Sequence, residues 1–158
     1  MKVIRIYTDG SVKNEGTKCA VGHLVIQDKT ILCENVKVIN QKLTSNQAEF
    51  TAFISSLNWL RSNGYSKHRV YVYVDNQNIQ TGFYKRDVKG WNYSSNPYWE
   101  KIRAIRNEFP SLYVQWVPSH SYDVLNRRVD ELCRTALLDN SKLEDICLID
   151  VKQINKKT

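Results

Sequence analysis

The hydrophobic pattern of this chain divides in two at Thr44, and that division limits its architecture more than any other feature. Three β-rich runs come first in succession, whereas beyond Thr44 apolar residues recur at helical spacing in stretches that alternate with two further β-rich runs. KVIRIYTD at 2–9 reads as a strand with Asp9 at or just past its end, Gly10-Ser11 turning the chain away. Residues 18–27 and 30–39 follow at hairpin distance, joined by Gln27-Asp28-Lys29-Thr30. Strands in a run, then strands alternating with helices, imply an α/β fold with a mixed sheet and helices packed on it.

Thr44 with Gln47 three residues later fits a capping box, and Phe50, Phe53, Ile54, Leu57 and Leu60 then keep helical spacing until Asn63-Gly64. The prediction is a helix over about 45–62. Val70 to Val74 carries bulky residues on both faces, as a central strand covered on both sides does, and Asp75 closes it. A short helix from Asn76 to about Phe83 follows, then a loop holding Asp87, Gly90 and Trp91, then a helix from Asn96 or Pro97 to Asn107. Ser111 to Val117 makes a fifth strand and 118–123 a loop, before Leu125, Val129, Leu132 and Ala136 mark a last helix reaching about Leu138.

A length of 158 residues suits one core. No apolar run approaches the ~20 residues of a membrane helix, and the first ten residues lack the pattern of a signal peptide, so the expected location is cytoplasmic, away from membranes. Lys and Arg exceed Asp and Glu by 23 to 16, a net charge of +7 that biases the chain toward polyanions without requiring one. Cys19, Cys33, Cys133 and Cys147 lie far apart with no zinc-site spacing, and read as reduced structural thiols.

Four acids stand where elements begin or end. Asp9 and Asp75 terminate β-rich runs, so if those strands are parallel neighbours their carboxylates meet at one edge of the sheet. Glu49 in the first turns of one helix and Asp130 in the first half of another can join them from sheet-facing positions. Clustered carboxylates stay ionised together only beside a compensating cation, and hard oxygen ligands suit Mg²⁺ or Mn²⁺. The bland reading competes: Asp is a common turn residue, and acids near helix starts complement the dipole.

Taken together, TDGS at 8–11, TSNQAEF at 44–50, YVDNQ at 73–77 and WVPSHSYDVLNRRVDEL at 116–132 resemble the four signature blocks of the type 1 ribonuclease H family, in order, across about residues 3–138. The resemblance implies a five-stranded mixed sheet ordered 3-2-1-4-5, its first three strands antiparallel, flanked by helices. It implies hydrolysis of the RNA strand of RNA–DNA hybrids, giving 5′-phosphate and 3′-hydroxyl ends. Carried over, the family pattern has Asp9 bridge two Mg²⁺ ions, with Mn²⁺ as substitute, Glu49 and Asp75 holding one ion and Asp130 the other. It assigns His120 to proton shuttling and product release, tasks that suit an imidazole titrating near neutral pH. His23 and His68, without evident partners, read as structural. Asn14, Ser45, Asn46 and Gln77 look like the family's minor-groove positions, where a 2′-hydroxyl tells RNA from DNA. Thr44 and Asn126 resemble positions that hold a DNA-strand phosphate, although Thr44 equally reads as a helix cap and Asn126 as a helix-start residue.

The chain departs from the family in three places. VKNEGTKCAVG after TDGS lacks the usual Gly- and Pro-rich turn, Ser45 stands where Asn is frequent, and the short stretch between Asp75 and Trp99 leaves little space for a long basic protrusion. Phe83 to Arg106 nonetheless holds six Lys or Arg against two acids, interleaved with aromatics. Lys89 and Trp91 read as contacts to the DNA strand, with Lys85 and Arg86 beside them, whereas Trp99, Lys101, Arg103 and Arg106 read as core and solvated helix face. Two other functions fit the same sequence: a non-catalytic nucleic-acid-binding module of this fold, and a nuclease of this fold acting on another nucleic acid. A catalytic domain over 1–138, acting as a monomer, is expected; residues 139–158 form an extension, with apolar Ile146, Leu148, Ile149 and Val151, that either docks or frays.

Overall fold

The computed structural model describes residues 2–12, 18–85, 96–118 and 124–138. Its elements run β1 (Val3–Val12), β2 (Cys19–Gln27), β3 (Thr30–Ile39), α1 (Ser45–Ser62), β4 (Arg69–Val74), α2 (Gln77–Tyr84), α3 (Asn96–Arg106), β5 (Leu112–Trp116) and α4 (Val124–Leu138). The strands form one sheet in the order β3-β2-β1-β4-β5. β1, β2 and β3 pair antiparallel, and β4 lies parallel to both β1 and β5. This is the expected α/β mixed sheet with its 3-2-1-4-5 order.

The residue pattern explains the layering. On one face Ile4, Ile6, Val25, Val70, Val72, Val74 and Val114 meet Phe50, Phe53, Ile54, Leu57 and Leu60 of α1, together with Ile79, Phe83, Tyr98, Trp99 and Ile102 from α2 and α3. On the other, Tyr7, Ala20, Leu24, Ile26 and Val38 are covered by Val129, Cys133, Ala136 and Leu137 of α4. Alternate residues of β1 and β2 thus feed two separate cores, as the period of two demands. α1 tolerates buried Thr51 and Ser56 because their hydroxyls donate to helix carbonyls, Thr51 to Gln47 at 2.8 Å and Ser56 to Ala52 at 2.7 Å.

Local chemistry sets the ends of elements. The Thr44 capping box is complete: Thr44 Oγ1 accepts from Gln47 N–H at 3.1 Å, and Gln47 Oε1 accepts from Thr44 N–H at 3.0 Å. The β2–β3 hairpin turns through Asp28 at φ 56°, a left-handed conformation that Asp accepts more readily than most residues. β5 is a sheet edge whose outer groups find partners in α2: Tyr84 Oη accepts from Val114 N–H at 2.8 Å and donates to Val114 C=O at 3.1 Å, and Gln80 Oε1 accepts from Trp116 N–H. Covering those groups blunts an edge that would otherwise offer itself to another strand.

One expectation is corrected. β1 does not turn away after Asp9 but continues to Val12, with Asp9 opposite Gly22 and Ser11 opposite Ala20 of β2. The TDGS segment looks like a turn when judged by its own residues; antiparallel pairing with β2, which continues to Val12 opposite Cys19, keeps it extended. Only the parallel ladder stops near the expected point, its last pair being Tyr7 with Tyr73.

Candidate active site

Asp9 and Asp75 each lie two residues beyond that last parallel pair, so adjacent strands deliver both to the same end of the sheet. Stacked Tyr7 and Tyr73 rings, with centroids 4.6 Å apart, pack just before them. Glu49 arrives from the first turns of α1, and Gly10 makes that approach possible. A Cβ at Gly10 would stand 2.4 Å from the Ala48 carbonyl carbon and 2.7 Å from Glu49 N. Any side chain there would push α1 off the strand. Gly22 does the same for α4, since a Cβ would meet Cys133 Sγ at 2.8 Å.

Asp9, Glu49 and Asp75 each offer a carboxylate oxygen within 4.8 Å of the others. Asp9 Oδ2, Glu49 Oε2 and Asp75 Oδ1 are buried with no hydrogen-bond partner among the described residues. Burial, then the charge of Asp75, push the Asp9 carboxyl up to about 9, with Asp130 adding to the rise and a Glu49 contact opposing it. Burial first, and then Asp9 and Asp75, likewise raise Glu49 well above the usual carboxylate range. Buried carboxylate oxygens that no described protein donor satisfies, in an all-oxygen set, fit a hard divalent cation, whose charge would offset their mutual repulsion.

Asp130 stands apart from this trio. α4 carries it close enough for its charge to act on Asp9, while its Oδ2 accepts from Arg134 Nε at 3.2 Å, one helical turn on. The acids expected to cluster are thus three in mutual reach and one at the rim. Beneath them Cys133 Sγ donates to the Asp9 carbonyl at 3.5 Å, and burial holds its thiol well above the ordinary range, in keeping with a structural cysteine.

Of the expected substrate positions, Thr44, Ser45 and Gln77 are exposed at the starts of α1 and α2, Asn46 is half-buried, and Asn126 is buried in the first turn of α4. Asn14, Lys89, Trp91 and His120 lie outside the described residues, as do Lys85's neighbour Arg86 and the segment 139–158. Trp99 is core, packed edge-on to Phe50 at 5.3 Å. Arg106 ties α3 to α2, donating to Phe83 C=O at 3.0 Å with its guanidinium 5.4 Å from the Phe83 ring. His23 is a core histidine: with its amide oxygen turned inward, Asn35 accepts from His23 Nε2 at 3.1 Å and from Trp59 Nε1 at 3.2 Å, an orientation that satisfies both donors.

Sequence reasoning misses two contributors. Gly10 acts through the space it leaves rather than through a turn, and its sequence neighbours alone do not tell the two apart. Asn76 reads in the sequence only as the start of a helix. Its Oδ1 accepts from Asn78 N–H at 2.9 Å, and its Nδ2 donates to Asn46 Oδ1 at 2.7 Å, linking the starts of α1 and α2 beside the acids.

A mixed sheet holding acids at the ends of neighbouring parallel strands defines an α/β protein in which three carboxylates lie close enough together to hold a metal ion. The RNase H family model matches residues 1–137. A ribonuclease H of Hahella chejuensis (strain KCTC 2396) is 30% identical over 145 residues, covering 84% of this chain and 91% of its own. The crystal structure of RNase H1 from the halophilic archaeon Halobacterium salinarum NRC-1 matches with a TM-score of 0.72 at 25% identity, over 87% of this chain and 98% of that one. LC11-RNase H1, solved in complex with an RNA/DNA hybrid, matches with a TM-score of 0.67 at 25% identity, over 85% and 99%. The chain belongs to the ribonuclease H family, and is an enzyme with nuclease activity of the ribonuclease H type.

Proposed function

We propose that this protein is an endonuclease that hydrolyses the RNA strand of RNA–DNA hybrids, leaving 5′-phosphate and 3′-hydroxyl ends. The observation that carries the reading is the trio of carboxylates within 4.8 Å, each with a buried oxygen that no described protein group satisfies. Asp9, Glu49, Asp75 and Asp130 would hold two Mg²⁺ ions, with Mn²⁺ as substitute. When bound, such ions neutralise the charge that builds on the attacking and leaving oxygens of a phosphodiester.

The chain's own residues have separate tasks. Asp9, shared between the acids from β4, α1 and α4, centres the cage. Ser45, Asn46, Gln77 and Asn14 face the minor groove, where the 2′-hydroxyl marks the RNA strand. Thr44 and Asn126 hold a DNA-strand phosphate, Thr44 with the outer side of the hydroxyl that caps α1. Lys89 and Trp91 lie along the DNA strand, and His120 moves a proton as product leaves. Residues 1–138 form the catalytic domain and work as a monomer in the cytoplasm. Among the described residues, no helix is long and apolar enough to cross a membrane.

Asp9→Asn keeps the shape of the side chain and removes the charge that a cation needs. Its expected effect is a loss of hybrid cleavage of about a thousand-fold or more, equivalent to ~4 kcal/mol, with hybrid binding retained in a mobility-shift assay. Cleavage by this variant at the wild-type rate would contradict the assignment.

A further inference from the structure

We infer that Asn76 is a positioning residue that fixes which end of the Asn46 amide meets the substrate, and that it thereby makes minor-groove recognition tolerant of sequence. The inference rests on the proposed hybrid cleavage and concerns how the same site reads its substrate. An isolated side-chain amide can present either its oxygen or its NH₂, and the two ends look for opposite partners. Here the choice is made by a chain of contacts that begins at a helix end. α2 has an unpaired backbone N–H at Asn78, which requires an acceptor, so Asn76 must turn Oδ1 toward it, and does so at 2.9 Å. Nδ2 of Asn76 is then left as a donor. It meets Asn46 Oδ1 at 2.7 Å, and that contact requires the oxygen of Asn46 to face inward. The outward group of Asn46 is therefore its NH₂.

The consequence for recognition follows from groove chemistry. Every base pair displays acceptors in the minor groove, purine N3 and pyrimidine O2, whereas guanine alone adds a donor. An NH₂ pointed outward finds a partner at any base pair. An outward oxygen would favour guanine and meet acceptor against acceptor elsewhere. Asn76 is half-buried between the starts of α1 and α2, and it follows directly on Asp75, so the orientation is locked at the same sheet end that holds the acids.

The test is a double-mutant cycle on steady-state cleavage of a hybrid, using wild type, Asn76→Ser, Asn46→Ala and the double variant. Serine retains a good helix cap but cannot reach Asn46, so the melting temperature checks that α2 is intact. Asn76→Ser is expected to raise KM about five-fold, the size of one hydrogen bond's contribution, with the effect falling in KM rather than kcat. In the Asn46→Ala background the same change should have almost no effect. Asn76→Asp serves as the second variant. Its carboxylate accepts from both Asn78 N–H and Asn46 Nδ2, reverses Asn46, and should create a preference for guanine at one position that disappears in the Asn46→Ala background. Hybrids carrying 3-deazapurines, which lack N3, should raise the wild-type KM at one position and leave that of Asn46→Ala unchanged. Additive effects in the cycle, or a guanine preference already in the wild type, would overturn the positioning role while the function stands. No hybrid cleavage by the wild type would overturn the function and this inference with it.

Discussion

Burial of like charges is costly unless something answers them, and at the residue scale Asp9 and Glu49 show that cost as raised proton affinity. His23 shows it with the opposite sign. Burial, and then the charge of Lys37, push its imidazole down to about 4. The unfolded chain binds a proton near pH 6.5, while the folded one resists protonation until about pH 4. The contribution of His23 is therefore complete above pH 6.5 and is lost progressively as pH falls toward 4, up to roughly 3 kcal/mol by linkage. Denaturant melts of wild type and His23→Gln between pH 4 and 8 should diverge in slope across that window, the variant losing less stability on acidification. Parallel curves would mean that folding leaves the proton affinity of His23 unchanged. This pH dependence belongs to the core between β2, β3 and α1, far in function from the acids.

At the scale of elements, the active end of the sheet depends on how closely two backbones approach. α1 lies on β1 at Gly10 with no space for a methyl group, and the opposing atoms are backbone, which has no rotamer to yield. Gly10→Ala is expected to destabilise the protein by at least ~2 kcal/mol and to reduce activity beyond that, because α1 must shift and take Glu49 with it. A melt compared with specific activity of the folded fraction measures both. Full activity per folded molecule would show that Glu49 tolerates displacement. The contrast with the other strand ends is instructive: Tyr84 and Gln80 of α2 close the β5 edge with flexible side chains, so the far side of the sheet has a margin that the β1–α1 contact lacks.

For the whole molecule, much is legible in the amino-acid sequence alone. The division of the hydrophobic pattern sets out the order of elements, and the caps of α1 and the β2–β3 turn fall where Thr44, Gln47 and Asp28 put them, since these depend on neighbours in sequence. The convergence of Asp9, Glu49 and Asp75 is readable because strand ends in a parallel pair share one edge. What escapes is set by partners distant in sequence. The length of β1 is dictated by β2, the space at Gly10 by α1, and the tie between Asn46 and Asn76 by the meeting of two helix starts thirty residues apart. Local residue chemistry carries no trace of such pairings.

The acid cage is proposed to serve cleavage of RNA within a hybrid. That role is tested most directly by presenting the protein with an RNA–DNA hybrid, the matching double-stranded RNA and the single-stranded RNA side by side, each with Mg²⁺ and with a chelator, and analysing the ends of the products. Cuts are expected only in the RNA strand of the hybrid, only with the cation, and with 5′-phosphate and 3′-hydroxyl ends. Cutting of double-stranded or single-stranded RNA at the same rate, or hybrid cleavage undiminished by the chelator, would contradict it.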